Sequence, residues 1–147
     1  RDRQLGLARR MVDLAVDYSF ERKQFGKPIG SFQAVKHLMA DVAVLIEFAK
    51  APLYRAAQSL AEGHPQAALH VSQARLACSE AAQLAAKNAI QVHGAMGYTW
   101  EVDLQLYMKR AWALDKVWGD CSLHKARLCQ ALFGGAISAG AGHTFAV

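Results

Sequence analysis

The sequence predicts an all-α protein, an antiparallel bundle of about four main helices, and three observations predict it. Apolar residues recur at intervals of three and four through successive long segments, the spacing that lines one face of an α-helix. Alanine, the strongest helix former, is abundant in runs, and only three prolines interrupt the chain. No period-2 alternation of any length is present to build a strand. At 147 residues, with 53% apolar and 20% charged residues, the chain fits one globular domain that can bury a core without covalent staples.

The first helix is expected from Asp2 to about Lys23, with Leu5, Ala8, Val12, Ala15 and Tyr18 on its apolar face and Arg9, Arg10, Asp13 and Asp17 between them. Gly26 and Pro28 stop it and begin an ordered connection. Ser31 is placed to cap the second helix, which carries Phe32, Val35, Leu38, Met39, Val42, Leu45, Ile46 and Ala49 on one face and continues to about Glu62. Pro52 is expected to interrupt and kink it, because proline lacks the amide donor and its ring crowds the preceding turn. Gly63, His64 and Pro65 close the hairpin.

The third helix, from Gln66 to about Val92, has alanine on several faces, including Ala74, Ala77, Ala81, Ala82, Ala85, Ala86 and Ala89. Small side chains let neighbours come close on more than one side, so this is the expected central helix and a candidate oligomer contact. Asp103 or a neighbour caps a fourth helix through Leu104, Tyr107, Met108, Ala111 and Leu114 to about Val117. Gly119 breaks it, and a fifth helix follows through Leu123, Ala126, Leu128 and Leu132. The helical domain is expected to occupy residues 1–133, with a mobile Gly/Ala-rich tail over 134–147.

Composition narrows the function. Cys78, Cys121 and Cys129 form no CxxC pair and are odd in number, which argues against a disulfide framework or a zinc site; each is expected to be a small buried side chain. His37 and His70 have no carboxylate or Cys at ligand spacing and read as ordinary helix histidines, so no metal is expected. No apolar run approaches the roughly 20 residues needed to span a bilayer, and the N-terminus does not resemble a signal, so a cytoplasmic protein is expected. The net charge of +5 is spread along the chain, a distribution that suits an anionic small molecule as well as nucleic acid; the former is the expected partner.

Between the third and fourth helices the stretch Ile90 to Asp103, IQVHGAMGYTWEVD, departs from generic helix. Gly94 and Gly97 permit a tight turn and a close approach to the main chain. Gln91 and His93 can hydrogen-bond, Tyr98 and Trp100 can stack, and Thr99 with Glu101 suits the start of the next helix. Taken alone the stretch has two readings, a ligand-recognition loop or a plain glycine connection whose aromatics close the end of a core.

A second stretch sharpens the choice. Glu21-Arg22-Lys23-Gln24-Phe25-Gly26-Lys27-Pro28-Ile29, followed by Phe32-Gln33, resembles the R-x-Q-F-G-x-x-I…F-Q signature of the acyl-CoA dehydrogenase family. Gln91-Val92-His93-Gly94-Ala95-Met96-Gly97-Tyr98 is similar to that family's Q-x-x-G-G-x-G-Y/F signature, with Ala95 in place of the second glycine. The resemblance covers essentially the whole chain. It implies the C-terminal helical domain of a longer flavoprotein, without the amino-terminal helical and middle β-domains: either a fragment, the favoured reading, or a chain whose missing parts come from elsewhere.

In that family the domain reaches across a dimer interface to hold the FAD of a neighbouring subunit. The resemblance implies that Arg22 and Gln33 contact the pyrophosphate and adenosine portion, that Phe25 packs near the adenine, and that Gln91, Val92, His93, Gly94 and Ala95 lie along the same half of the cofactor. The physical chemistry agrees: a pyrophosphate calls for a guanidinium fork and helix-end amides, and adenine for a flat apolar wall. The implied activity is α,β-dehydrogenation of acyl-CoA thioesters. The implied partners are an acyl-CoA substrate, a neighbouring identical or different subunit in a dimer or tetramer, and an electron-transfer acceptor.

That chemistry needs a carboxylate base for the α-proton. Many members carry it as the Glu of a Y-E-G-T pattern, but the corresponding place here reads Val117-Trp118-Gly119-Asp120. Others place the base on the first helix, before the position of Arg1. Asp120 is the nearest carboxylate and a weak candidate, better suited to capping the last helix. His124 falls where Y-E-G-T members carry a polar residue near the flavin and can face cofactor or solvent. Trp112 and Trp118 can line an acyl pocket, although a core role is favoured. The alternatives are a non-catalytic assembly subunit of a mixed complex, and a flavin-dependent oxidase or monooxygenase on the same fold.

Overall fold

The computed structural model describes residues 3–135, and within them the chain forms five α-helices and one minimal hairpin. Helix α1 spans Arg3–Glu21, α2 Gln33–Ala61, α3 Ala67–His93, α4 Leu104–Lys116 and α5 Cys121–Phe133. These are the five helices expected from the sequence, with ends shifted by one or two residues, and they form the antiparallel bundle. The tail expected over 134–147 lies outside the described residues apart from the turn at Gly134 and Gly135.

Helix α3 is the centre, packed against each of the other four helices. Ala74, Ala81, Ala82, Ala85, Ala86 and Ala89 are buried along it, and Cys78 joins them. Around this small-residue core stand Leu5, Ala8, Met11 and Ala15 from α1, Met39, Val42, Ile46 and Ala49 from α2, and Leu104, Met108 and Ala111 from α4. The i, i+3, i+4 apolar spacing of each helix is therefore its core-facing stripe. Six of the α3 alanines are thus used within the chain, while Ala68 is exposed and Ala77 half-buried. An exposed apolar face lies on α2, where Ala40, Val44, Phe48 and Ala51 follow one another at spacings of four, four and three.

Three local expectations are corrected. Ser31 does not cap α2: its hydroxyl donates to the Pro28 carbonyl at 2.8 Å within the short 3-10 turn Ile29–Ser31, and Phe32 takes the N-cap position with no side-chain cap. Asp103 holds the N-cap position of α4 without a side-chain hydrogen bond, whereas Asp120 caps α5 by accepting from the Leu123 amide at 3.0 Å. Pro52 does not interrupt α2, which runs through it to Ala61. A proline inside a helix costs about 3 kcal/mol, and here Ile46, Ala49 and Ala56, buried on either side of it, anchor both halves of α2 to the core.

The half of α3 that begins at Ala67 is tied to its neighbours by a buried polar seam. The Arg75 guanidinium donates to Gln4 of α1 at 2.7 Å and to the carbonyls of Leu114 and Val117, so it closes the C-terminal end of α4. The Ser79 hydroxyl donates to the buried Asp115 carboxylate. Burial raises the Asp115 pKa, but the hydrogen bonds from Ser79, Lys116 and Cys121 outweigh it and leave the group below its ordinary 3.8. His124, one turn into α5, lies within 3.2 Å of the Ser72 hydroxyl. His124 therefore belongs to this seam.

Three buried histidines are expected to contribute to the pH dependence of stability. His70, His93 and His124 all lie below the ordinary 6.5, in each case first because burial disfavours the imidazolium. Arg55 and His64 add to the shift at His70, and Arg127 and Arg75 at His124. A histidine with a lowered folded pKa takes up a proton on unfolding, so stability rises with pH up to about 6.5 and is lost as pH falls below it, at up to about 1.4 kcal/mol per pH unit for each proton. Thermal unfolding at pH 7.5, 6.5 and 5.5 is expected to give a midpoint that falls between the last two. A midpoint that is flat or higher at pH 5.5 contradicts this.

Candidate functional site

The two sequence stretches that differ from plain helix come together. The C-terminal end of α1, the start of α2 and the C-terminal end of α3 enclose a groove of about 680 Å³. Arg22, Gln24, Phe25, Ile29 and Phe32 line it from the first stretch, and Gln91 through Met96 from the second. Of the eight residues expected at a cofactor, Arg22, Phe25, Gln91, Val92, His93, Gly94 and Ala95 line this groove. Gln33 does not; it is exposed at the first position of α2, between Phe32 and Ala34, which do. Tyr18, Val35 and Leu38 complete the wall, although they read from sequence as core residues alone. Their signal was positional: Tyr18 lies in the last turn of α1, four residues before Arg22, and Leu38 one turn after Val35 on α2.

The chain leaves α1 through a hairpin with a two-residue turn, ahead of the 3-10 turn Ile29–Ser31. Strand β1, Lys23–Gln24, pairs with β2, Lys27–Pro28, in the register Lys23 to Pro28 and Gln24 to Lys27. Two strands of two residues leave no alternation to read in a sequence. The central residues Phe25 and Gly26 have φ of +51° and +77°, the positive values that a type I′ turn requires. Glycine accepts this conformation freely, but a phenylalanine pays about 1–2 kcal/mol for it. Burial does not compensate, because Phe25 is 88% exposed and touches Phe32 only in an edge contact at 6.2 Å. A strained, exposed aromatic wall is a cost that the domain's own packing does not explain.

The second stretch is shaped by Gly94. Its φ of +61° and ψ of −140° lie where essentially only glycine is stable, and there the helix α3 ends and a 3-10 segment, Gly94–Tyr98, begins. Gly97 acts differently. It is buried, and a Cβ there would lie 3.3 Å from His93 and Ile90, so the absent side chain lets the segment pack against the last turn of α3. Gly94 and Ala95 are left on the open side of the groove.

His93 is buried and stacks on Tyr18, with ring centroids 4.4 Å apart and planes at 20°. Its Nδ1 lies 2.8 Å from the Ala89 carbonyl, which can only accept, so Nδ1 carries the proton. Burial lowers its pKa and outweighs the opposing effect of that hydrogen bond, which keeps the ring neutral. Arg22 is exposed, and among the described residues its guanidinium makes no salt bridge. The groove thus combines one free guanidinium, a flat apolar wall and the uncapped first turn of α2. That is a set of partners for an anionic ligand with a flat ring. Among the described residues that line the groove none is a carboxylate.

The remaining expectations fall elsewhere. Asp120 caps α5 and stands beside the part of α3 around Ser79, roughly 20 Å along that helix from Val92 at 1.5 Å per residue. The favoured core role of Trp112 and Trp118 is corrected. Trp118 is 90% exposed with φ of +60°, at the rim of an apolar cavity of about 490 Å³ with Leu60, Ala74 and Leu114. Trp112 is also largely exposed, because α4 turns Met108 and Ala111 inward in its place. Of the cysteines, Cys78 is buried as expected, Cys121 is half-buried against Ser79 and Asp115, and Cys129 is exposed on the outer side of α5. Among the described residues no three potential metal ligands cluster, and no helix is long and apolar enough to cross a membrane.

Comparison with known proteins agrees with the helical architecture. The profile described as acyl-CoA dehydrogenase, C-terminal domain, matches residues 3–133. The acyl-CoA dehydrogenase IpdE2 of Mycobacterium tuberculosis is 47% identical over 108 residues, which is 74% of this chain and 32% of that protein. Among solved structures, a glutaryl-CoA dehydrogenase in complex with glutaryl-CoA superposes with a TM-score of 0.82 at 32% identity, covering 89% of this chain and 33% of the other. PigA with FAD and proline superposes at 0.80 with 26% identity, covering 88% and 34%. The chain spans about a third of the length of the relatives it matches. By its profile match, its five-helix architecture and its two ordered motifs, the chain belongs to the acyl-CoA dehydrogenase family, as that family's C-terminal helical domain.

Proposed function

We propose that this chain is the FAD-contacting and oligomerising domain of a flavoprotein that carries out α,β-dehydrogenation of acyl-CoA thioesters. The observation that carries the reading is the single groove in which both family motifs meet, with Arg22 and Phe25 on one side and Gln91 to Ala95 on the other. In this reading the Arg22 guanidinium and the first-turn amides of α2 bind the pyrophosphate, the latter favoured by the positive end of a 29-residue helix. Phe25 supplies the wall for the adenine ring, and Gln33, at the rim, turns to the same ligand. A flavin held here would supply hydride acceptance to the reaction. The residues here hold and orient its nucleotide half.

Similarity to dehydrogenases and to a protein solved with FAD supports this assignment, as does the exposed apolar face of α2, which suits a subunit contact. A proton-abstracting carboxylate has to come from outside the groove. Asp120 accepts the Leu123 amide as the α5 cap, the role that the sequence favours for it. An assembly-only module would have no use for a strained exposed Phe25 facing a free arginine.

Two outcomes test the reading. Titration of FAD into the chain, followed by flavin fluorescence, is expected to saturate, and Arg22→Ala to weaken binding by roughly 10- to 100-fold, the loss of about 1.5–3 kcal/mol of charged hydrogen bonding. Equal binding by both proteins removes Arg22 from the site. Phe25→Asn installs the Asn-Gly pair that type I′ turns favour, so it is expected to raise stability by about 1 kcal/mol while lowering FAD affinity. Lower stability with unchanged affinity would show that Phe25 serves the fold alone.

A further inference from the structure

His93 has one nitrogen whose partner the fold does not supply. Its Nδ1 is committed to the Ala89 carbonyl and its ring face to Tyr18, which together fix both the tautomer and the ring plane. Among the described residues Nε2 has no hydrogen-bond partner, yet it is not among the buried nitrogens shut off from solvent. The open space that His93 borders is the groove. In the Nδ1–H tautomer Nε2 bears a lone pair, so it accepts a hydrogen bond and donates none.

We propose that His93 is a specificity-determining residue of this groove, a neutral acceptor whose Nε2 takes a hydrogen bond from an exocyclic amine on the bound nucleotide. The inference rests on the nucleotide reading above and adds the chemical class of the group that His93 meets. Phosphate oxygens carry lone pairs themselves and are repelled by such an acceptor. The groove is thereby divided: Arg22 and the first turn of α2 take the anion, and His93 takes the donor-bearing half.

The surroundings of His93 keep the ring neutral. From α1 the titratable or charged groups facing the groove are Tyr18 and Arg22; from α2 the groove receives only Phe32, Ala34, Val35 and Leu38, and from its own segment Gln91, Val92 and Gly94 to Met96. No carboxylate faces the ring to hold an imidazolium, and burial works against one. Protonation converts Nε2 into a donor, which sets two donors against each other. Acid therefore weakens the contact.

The test is the pH profile of FAD and ADP binding to the full chain, between pH 5.5 and 8 at constant ionic strength, with circular dichroism at each pH to restrict the measurement to folded protein. Wild-type affinity is expected to fall toward pH 5.5. His93→Phe keeps a ring against Tyr18 and removes the acceptor, so it is expected to bind about tenfold more weakly at pH 8 and to lose the pH dependence. His93→Gln keeps an amide oxygen and is expected to retain more affinity than the Phe variant while also losing the pH dependence. Affinity that rises as the pH falls would make His93 a cationic phosphate ligand and overturn the proposal. Wild-type and Phe proteins of equal affinity at every pH would overturn it while leaving the nucleotide site standing. Failure of the folded wild-type chain to bind either nucleotide would overturn the site itself, and the inference with it.

Discussion

Four helices can converge on one only if that one is thin, and the alanine face of α3 is the constraint on which the rest of the domain depends. Ala81, Ala82, Ala85, Ala86 and Ala89 leave almost no side-chain volume between α3 and its neighbours. Larger residues at those positions would push α1, α2 and α4 outward, because interiors are packed to crystal-like density and do not absorb extra volume. The central helix is thus also the ruler of the molecule. Its 27 residues measure roughly 40 Å at 1.5 Å per residue, and its two ends do different work.

The half that starts at Ala67 is consolidated by polar contacts. Arg75, Ser79, Asp115 and Gln4 cross-link α1, α3 and α4, while Ser72 and His124 join α3 to α5. Buried polar groups satisfied in this way fix one arrangement of the helices, since any slip leaves an unpaired group behind. The far end is left open. There α3 stops at a glycine, α1 stops at a hairpin that holds Phe25 in an unfavourable conformation, and the first turn of α2 goes uncapped. The strained Phe25 and the uncapped turn each forgo some stability, and all three features face one groove.

Much of this could be read from the residues. The five helices follow from apolar spacing, because each buries a single stripe against α3, and the abundance of alanine in α3 identifies it as the centre. Seven of the eight expected site residues line the groove because the two motifs end α1 and α3 on the same side of the bundle. The misses have local causes. The β1–β2 hairpin is too short to show alternation, and its turn carries Phe25 where the usual signal is Asn or Gly. Ser31 and Asp103 have cap-forming side chains, but a 3-10 turn takes the first, and the second sits at its position without bonding. Trp118 reads as core because it is large and apolar, whereas the positive φ imposed just before Gly119 turns it outward. Tyr18 and His93 reveal their pairing only once α1 and α3 are side by side.

The central claim is that the two motifs form one nucleotide-binding groove at one end of the bundle. Amide hydrogen exchange of the chain with and without saturating FAD tests it most directly, because it reads every segment at once. The account predicts slowed exchange in the hairpin over residues 22–29, in the first turn of α2 and in residues 90–96, with no change around Ser72, Ser79 and Asp115. Protection confined to one of the two stretches, or centred on the polar seam, would contradict it.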